Sequence, residues 1–435
     1  MLIDCRMGSP IETGFRREGM PHSHPCQVVP FRSEILPMIT QPSPSTVASG
    51  RFAVQAIEQI LFGLPLEEAI MAEVERYGAA RVFVTSTRSL SQLENGPLQR
   101  AIKALGSRHV GTYSRISAHS PREDVIAGAN AARAADADLL VAVGGGSVID
   151  ATKAMLLCLW LGLDAIEAME PYRSGIDGQK PAPVTLPPDP IRMIAVSTTL
   201  SASEFKGTAG VTLSATNSKQ SFDHRLMAPK TVILDPSATL DTPLWLLFAT
   251  GIRAVDHACE GYCNPKANLA TEALSLQGLK LLHRSLPWMK REPDNLEARM
   301  EAQFGMWQAI APSQSGVAMG ASHGIGYALG ATFGVPHGHT SCVMLPAVLT
   351  WNAPVNGERQ KALSEAMGAP NRPAGELVKE LVASIDQPTS LRDVGIKREN
   401  LDEIATRALG YRPVQINPRK ITTAADVREI LELAW

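Results

Sequence analysis

The chain has 435 residues, 45% of them hydrophobic and 19% charged, with a formal charge of -2. That is the composition of a globular enzyme with length for two domains. Nothing in it suggests a nucleic-acid or anionic-membrane partner, and the longest apolar run, Ala154 to Leu163, is too short to span a bilayer.

Residues 1–47 are rich in Pro, Ser and Met without a sustained period. They read as a poorly ordered N-terminal extension. The opening MLIDCRMGSP lacks a basic stretch followed by an apolar core, so no secretory signal is expected. The segment Pro21-His22-Ser23-His24-Pro25-Cys26 has metal-ligand residue types, but no second cluster lies near it in sequence. Six cysteines, Cys5, Cys26, Cys158, Cys259, Cys263 and Cys342, form no disulfide framework, which suits a reducing cytoplasm.

From Phe52 helical stretches such as Leu66 to Tyr77 alternate with short β-branched runs. Strands are expected at Arg81–Thr85, His109–Tyr113, Asp138–Val143, Met193–Ser197 and Thr231–Leu234. That alternation predicts βαβ units and a mostly parallel sheet, whose ligands bind beyond the carboxyl ends of its strands. After Asp235-Pro236 the pattern turns helical. Helices are expected at Trp245–Tyr262, Leu269–Leu286, Leu296–Ile310, Ser315–Leu329, Glu376–Ile385 and Ala425–Leu433. The boundary is placed near 236. It separates an α/β dinucleotide-binding domain, residues 48–235, from an all-α catalytic domain, residues 236–435.

The stretch from Leu139 to Asp150, LLVAVGGGSVID, runs from a buried strand through three glycines into a helix. Gly144, Gly145 and Gly146 let the backbone turn sharply and let a ligand approach. Ser147 is placed to cap the helix, with Asp150 three residues on. The free N–H groups of that helix start suit the pyrophosphate of a dinucleotide. A plain strand-to-helix turn is the alternative. A second turn, Ser197-Thr198-Thr199-Leu200-Ser201-Ala202-Ser203-Glu204, offers hydroxyls for a ribose or nicotinamide from Thr198, Thr199, Ser201 and Ser203, or is ordinary turn chemistry. No GxGxxG follows the first expected strand, where Thr85-Ser86-Thr87-Arg88 stands. No acidic residue ends that strand either, so NAD and NADP both remain open.

Three histidines sit in apolar, glycine-rich parts of the second half: His257 in GIRAVDHACEGY, His323 in MGASHG and His337 in GVPHGH. Glycine beside histidine permits close approach of a ligand or metal. These motifs, with GGGSVID, STTLSASE, the His323-to-His337 interval and the closing Asn417-Pro418-Arg419 before ADVREILELAW, resemble the iron-containing alcohol dehydrogenase superfamily over residues 50–435. The resemblance implies the dehydroquinate synthase-like fold with an active site in the cleft between its two halves, and a nicotinamide cofactor. It also implies a homodimer and a lysine near the cofactor, here Lys219.

Two departures bear on chemistry. Metal-dependent members hold a divalent ion with one Asp and three His, the Asp four residues before the first His. Arg253 stands at that position. Residues i and i+4 share a helix face, so Arg253 projects beside His257, where a guanidinium would repel a metal. Asp256 points about 100° away from His257 and is a poor substitute ligand. Tyr327 replaces a further His, four residues after His323. Arg253 could instead pair with a substrate carboxylate, or with Asp256 or Glu260. The first option resembles the metal-independent maleylacetate reductase branch. There a carboxylated enone or oxoacid is reduced to a 3-oxoadipate-type product in aromatic-compound catabolism. His257, His323 and His337 would bind substrate, and one of them or Tyr327 would supply the proton.

The alternatives are a metal-dependent alcohol dehydrogenase, with Fe or Zn on His257, His323 and His337, and a dehydroquinate synthase-like lyase. Cys259 and Cys263 could touch such a metal or be small core residues.

Overall fold

The computed structural model describes residues 52–175, 179–216 and 218–435. The expected extension, with His22, His24 and Cys26, lies outside the described residues. So does Asn217 beside Lys219.

Nine strands occur among the described residues: β1 (Gln59–Phe62), β2 (Val82–Thr85), β3 (His109–Tyr113), β4 (Leu139–Gly144), β5 (Arg173–Ser174), β6 (Arg192–Ser197), β7 (Thr208–Leu213), β8 (Ser218–Asp223) and β9 (Thr231–Leu234). Five helices accompany them: α1 (Leu66–Tyr77), α2 (Arg88–Ser91), α3 (Pro97–Leu105), α4 (Arg122–Ala134) and α5 (Gly146–Leu161). The main sheet has the order β1-β9-β6-β4-β2-β3, and all its pairings are parallel.

Alternation along β4 shows why this sheet is covered on both sides. Leu139, Val141 and Val143 enter one core with residues of α1 and α3. Leu140 and Ala142 enter another with residues of α4 and α5. A strand buried on both faces reads as a continuous apolar run, which is how β4 reads. The strand order reverses at β2, which has β3 on one side and β4 on the other. A ligand crevice is therefore expected at the carboxyl ends of β2 and β4.

A second, antiparallel sheet, β5-β8-β7, was not anticipated. Its hairpin pairs Thr212 with Lys219 and Gly210 with Ser221. The strand Ser218–Asp223, SKQSFD, buries only Gln220 and Phe222. So polar a strand carries little hydrophobic signal.

Beyond Leu234 the described chain is helical or irregular: α6 (Leu244–Cys263), α7 (Leu269–Arg291), α8 (Leu296–Ala309), α9 (Ala311–Gln314), α10 (Ala321–Phe333), α11 (His337–Ala366), α12 (Ala374–Ser384), α13 (Leu401–Ala408), α14 (Arg412–Gln415) and α15 (Ala424–Leu433). The helix expected from Ser315 starts only at Ala321. Gly316 takes a positive φ of 96° and interrupts it. The long α11 was not expected, because Pro346 and Pro354 lie inside it, and it kinks at Asn356. The described residues from Phe52 onward belong to one compact unit, in which the sheet and the helices share a core that includes Leu200, Val232, Leu234 and Ile252.

Candidate active site

The glycine turn and the hydroxyl turn are pressed together at the carboxyl ends of β4 and β6, where Gly144 is in register with Ser197. A Cβ on Gly145 would lie 2.7 Å from Thr199 Cγ2, and one on Gly146 would lie 2.9 Å from Ser201 Oγ. Glycine is required here by the second turn as much as by any ligand. The helix cap is Gly145, not Ser147, and no side chain caps it. The first N–H groups of α5 are thus left to an anion. Ser147 instead accepts from the His119 amide at 3.0 Å through Oγ, and its carbonyl accepts from Ser120 Oγ at 2.7 Å. His119 and Ser120 both hold positive φ, 64° and 54°, to make that contact. The sequence offered no motif for His119.

Asp150 is a tie between elements rather than part of a capping box. It accepts from Gly210 N at 3.1 Å, from Ser203 Oγ and from Lys153 Nζ at 2.8 Å. Lys153 is buried and also donates to the carbonyls of Ser203 and Thr208 at 2.9 and 2.6 Å. Thr198 N donates to Gly144 O at 3.1 Å, and Thr199 Oγ1 donates to Ser201 Oγ at 3.2 Å. Lys219 lies on the β7–β8 hairpin, with its Cε 2.6 Å from where a Cβ on Gly210 would stand. It is exposed, a hairpin lysine that also reaches toward Asp150. Arg88 is exposed on α2.

The facing wall is built from α6, α10 and α11. Four buried polar groups on α6, Arg253, Asp256, His257 and Glu260, lie within two turns of one another. Glu260 accepts the backbone N–H groups of Gly320 and Ser322 at 2.9 and 2.7 Å, so it caps α10 from outside. The same carboxylate contacts His323 Nδ1 at 2.7 Å. Asp256 Oδ2 accepts from Ser322 Oγ and Ser341 Oγ at 2.8 and 2.6 Å and lies 3.3 Å from His323 Nδ1. With Nδ1 held, His323 Nε2 is buried without a partner, as is His257 Nδ1. The two rings are 5.0 Å apart.

Arg253 donates to Ser341 Oγ at 2.9 Å and is 3.7 Å from Asp256. The internal ion pair is present but loose, and it occupies one of several guanidinium N–H groups. Tyr327 lies nearly parallel to His337, ring centres 6.2 Å apart. The structure therefore brings together Arg253, His257, His323, Tyr327 and His337.

Electrostatics sort these groups. Burial, then the charges of His323, Arg253 and Lys206, holds the His257 pKa well below the ordinary imidazole value. The guanidinium of Arg253 is the largest cause of the same shift at His337, followed by burial. Burial raises the Tyr327 phenol. Burial alone would raise the Asp256 carboxyl, but the facing His323 ring and Arg253 bring it down. Cys259 and Cys263 are core residues, and burial raises their thiols.

Asp256, Glu260 and His323 offer three donor atoms within 4.8 Å of one another. Those atoms are already engaged with two backbone N–H groups, two serine hydroxyls and each other. At the position beside His257 a cation would meet the guanidinium of Arg253. The residues present do not fit a divalent ion at that position.

A doubly wound parallel sheet thus faces a polar helical wall, and the proteins this chain is similar to make it an oxidoreductase. It belongs to the iron-containing alcohol dehydrogenase family: residues 58–236 match the description "Iron-containing alcohol dehydrogenase" and residues 247–435 the description "Fe-containing alcohol dehydrogenase family, C-terminal". It is 32% identical to a maleylacetate reductase of Pseudomonas sp. (strain P51), over 87% of this chain and 95% of that one. It is 30% identical to the dehydrogenase FUM7 of Gibberella moniliformis, over 86% and 95%. Its fold is similar to the crystal structure of maleylacetate reductase from Rhizobium sp. strain MTP-10005, with TM-score 0.74, 25% identity, and 89% of this chain and 99% of that one covered.

Proposed function

We propose that the chain is a nicotinamide-dependent reductase of a carboxylated enone or oxoacid, of which maleylacetate is the leading candidate, working without a metal. The observation that carries this reading is Arg253, a guanidinium set among three histidines, bonded to the neutral Ser341 hydroxyl and with only a loose carboxylate partner in Asp256. A planar guanidinium matches a carboxylate through two parallel hydrogen bonds.

The turn at Gly145 and the uncapped start of α5 suit the pyrophosphate, with Thr198, Thr199, Ser201 and Ser203 alongside. Bound there, the nicotinamide supplies a hydride. Arg253 would orient the substrate by its carboxylate. In an enone the hydride adds to the carbon β to the ketone, the electron pair moves to the carbonyl oxygen, and a proton must reach the α-carbon. His257 and His337, held neutral, can each donate an N–H hydrogen bond to that developing enolate oxygen. His323, with its Nδ1–H donated to Glu260, would relay the proton to the α-carbon through its unpartnered Nε2.

Metal analysis and turnover of maleylacetate with NADH or NADPH, with and without chelator, test this reading. Turnover is expected to survive chelation. Stoichiometric Fe or Zn, with activity lost on chelation, would transfer support to the metal-dependent alcohol dehydrogenase reading.

A further inference from the structure

Lys206 is a cation that neither the glycine turn nor the histidine wall accounts for. It ends the short turn Ser203–Phe205, and its backbone carbonyl accepts from buried Lys153 at 3.3 Å. Its side chain is half-buried. Its own Nζ donates to Ser313 Oγ at 2.7 Å. Among the described residues it has no ion pair, whereas Lys153 in the same turn system has Asp150. A half-buried ammonium ordinarily finds a carboxylate. This one has a neutral hydroxyl.

Ser313 sets the direction. It lies on α9, which packs on α6: a Cβ on Gly261 would stand 2.5 Å from Pro312 Cγ. The hydroxyl turn reaches the same helix from the sheet side, where Leu200 N donates to Thr250 Oγ1 at 3.1 Å. Lys206 therefore enters from the sheet wall toward the helix that carries Arg253 and His257. Its charge reaches His257, as does that of Arg253. Two cations bear on one imidazole. Arg253 has Asp256 at 3.7 Å, already committed to two serines, while Asp150 and Asp223 act on Lys206 by charge without forming an ion pair with it among the described residues.

We propose that Lys206 is a specificity-determining residue of this cleft, and that it and Arg253 together receive a substrate with a carboxylate at each end. This rests on the reading of Arg253 as a carboxylate site. A dicarboxylate would neutralise both cations and be held at both ends, so the reacting carbons between them are fixed in place. A monocarboxylate would leave the Lys206 end unpaired.

Calorimetric titration with 3-oxoadipate and with its monomethyl ester tests the proposal on wild type, Lys206→Met, Lys206→Arg and Arg253→Met. Wild type is expected to bind the diacid at least about tenfold more tightly than the ester. Lys206→Met should remove that preference, and Lys206→Arg should restore most of it. Affinity for NADH, read by its fluorescence, should not change in either Lys206 variant. Equal affinities of wild type for diacid and ester, or loss of NADH affinity in Lys206→Met, would overturn the role of Lys206. The Arg253 reading has its own outcome: it fails if Arg253→Met binds both compounds as wild type does.

Discussion

Glu260 accepts two backbone N–H groups at the start of α10 and, with the same carboxylate, meets His323 Nδ1 at 2.7 Å. One side chain thus fixes both the helix and the ring that the helix carries. Glu260→Gln keeps the shape but not the charge. As a positioning change it is expected to lower kcat about 10- to 100-fold with KM little altered, and to cost about 1–3 kcal/mol of stability. Steady-state kinetics and denaturant titration separate the two effects. A stability loss with unchanged kcat would reduce Glu260 to a helix cap.

Arg253→Met should raise KM for a carboxylated substrate and lower kcat/KM by about 10²–10³-fold, the scale expected for a buried charge-assisted pair. Arg253→Asp is a sharper test. It puts a carboxylate beside His257 in place of the guanidinium, so on the metal-free reading the variant is expected to retain Fe or Zn and the parent is not. Metal analysis after dialysis reads the difference.

Gly145→Ala would place a methyl group 2.7 Å from Thr199 Cγ2. Overpacking of that kind costs about 1–3 kcal/mol. NADH affinity should fall, because the hydroxyl turn must shift away from the start of α5. Thr199→Ser in the same chain removes the clashing Cγ2 and should recover part of both losses. Recovery of neither would separate the glycine from the turn opposite it.

Glu204 is buried, with both carboxylate oxygens unpartnered, and burial pushes its pKa up to about 7 from 4.5. The sign follows from proton uptake. Between pH 4.5 and about 7 the folded chain keeps a proton that the unfolded chain releases, so this group's contribution to stability is lost as pH rises through that window. His257 and His337 act oppositely: their lowered values make stability fall as pH drops below about 6.5, where the unfolded imidazoles take protons. Glu204→Gln removes only the first effect. Its Tm relative to wild type should climb from pH 5 to pH 8, the full span being worth on the order of 3 kcal/mol. A constant difference across that range would contradict a protonated Glu204.

Much of the frame was legible because it is local. The β-branched runs at His109–Tyr113 and Thr231–Leu234 and the amphipathic stretch Leu66–Tyr77 have the bounds their residues suggest. The α11 helix was hidden by its own prolines, which tertiary packing tolerates. The histidines were visible through motif spacing. Their supports were not, since Glu260 and Asp256 meet His323 and Ser341 across 63 and 85 residues. One signal was available: Asp256 and Glu260 are four apart, on the side of α6 that also carries Arg253. Ser147 was misplaced because glycine caps as well as serine where the turn opposite leaves no room for a side chain.

The start of α11 meets α6 at backbone distance. A Cβ on Gly338 would stand 2.6 Å from the carbonyl of Ala249. His337 precedes Gly338, and His257 lies two turns beyond Ala249. These two histidines are therefore mounted on one chassis, their spacing set by main chain touching main chain. On the proposed reading, adaptation to substrate size is then expected on the opposite bank, in the turn from Thr198 to Lys206, rather than in the histidine helices.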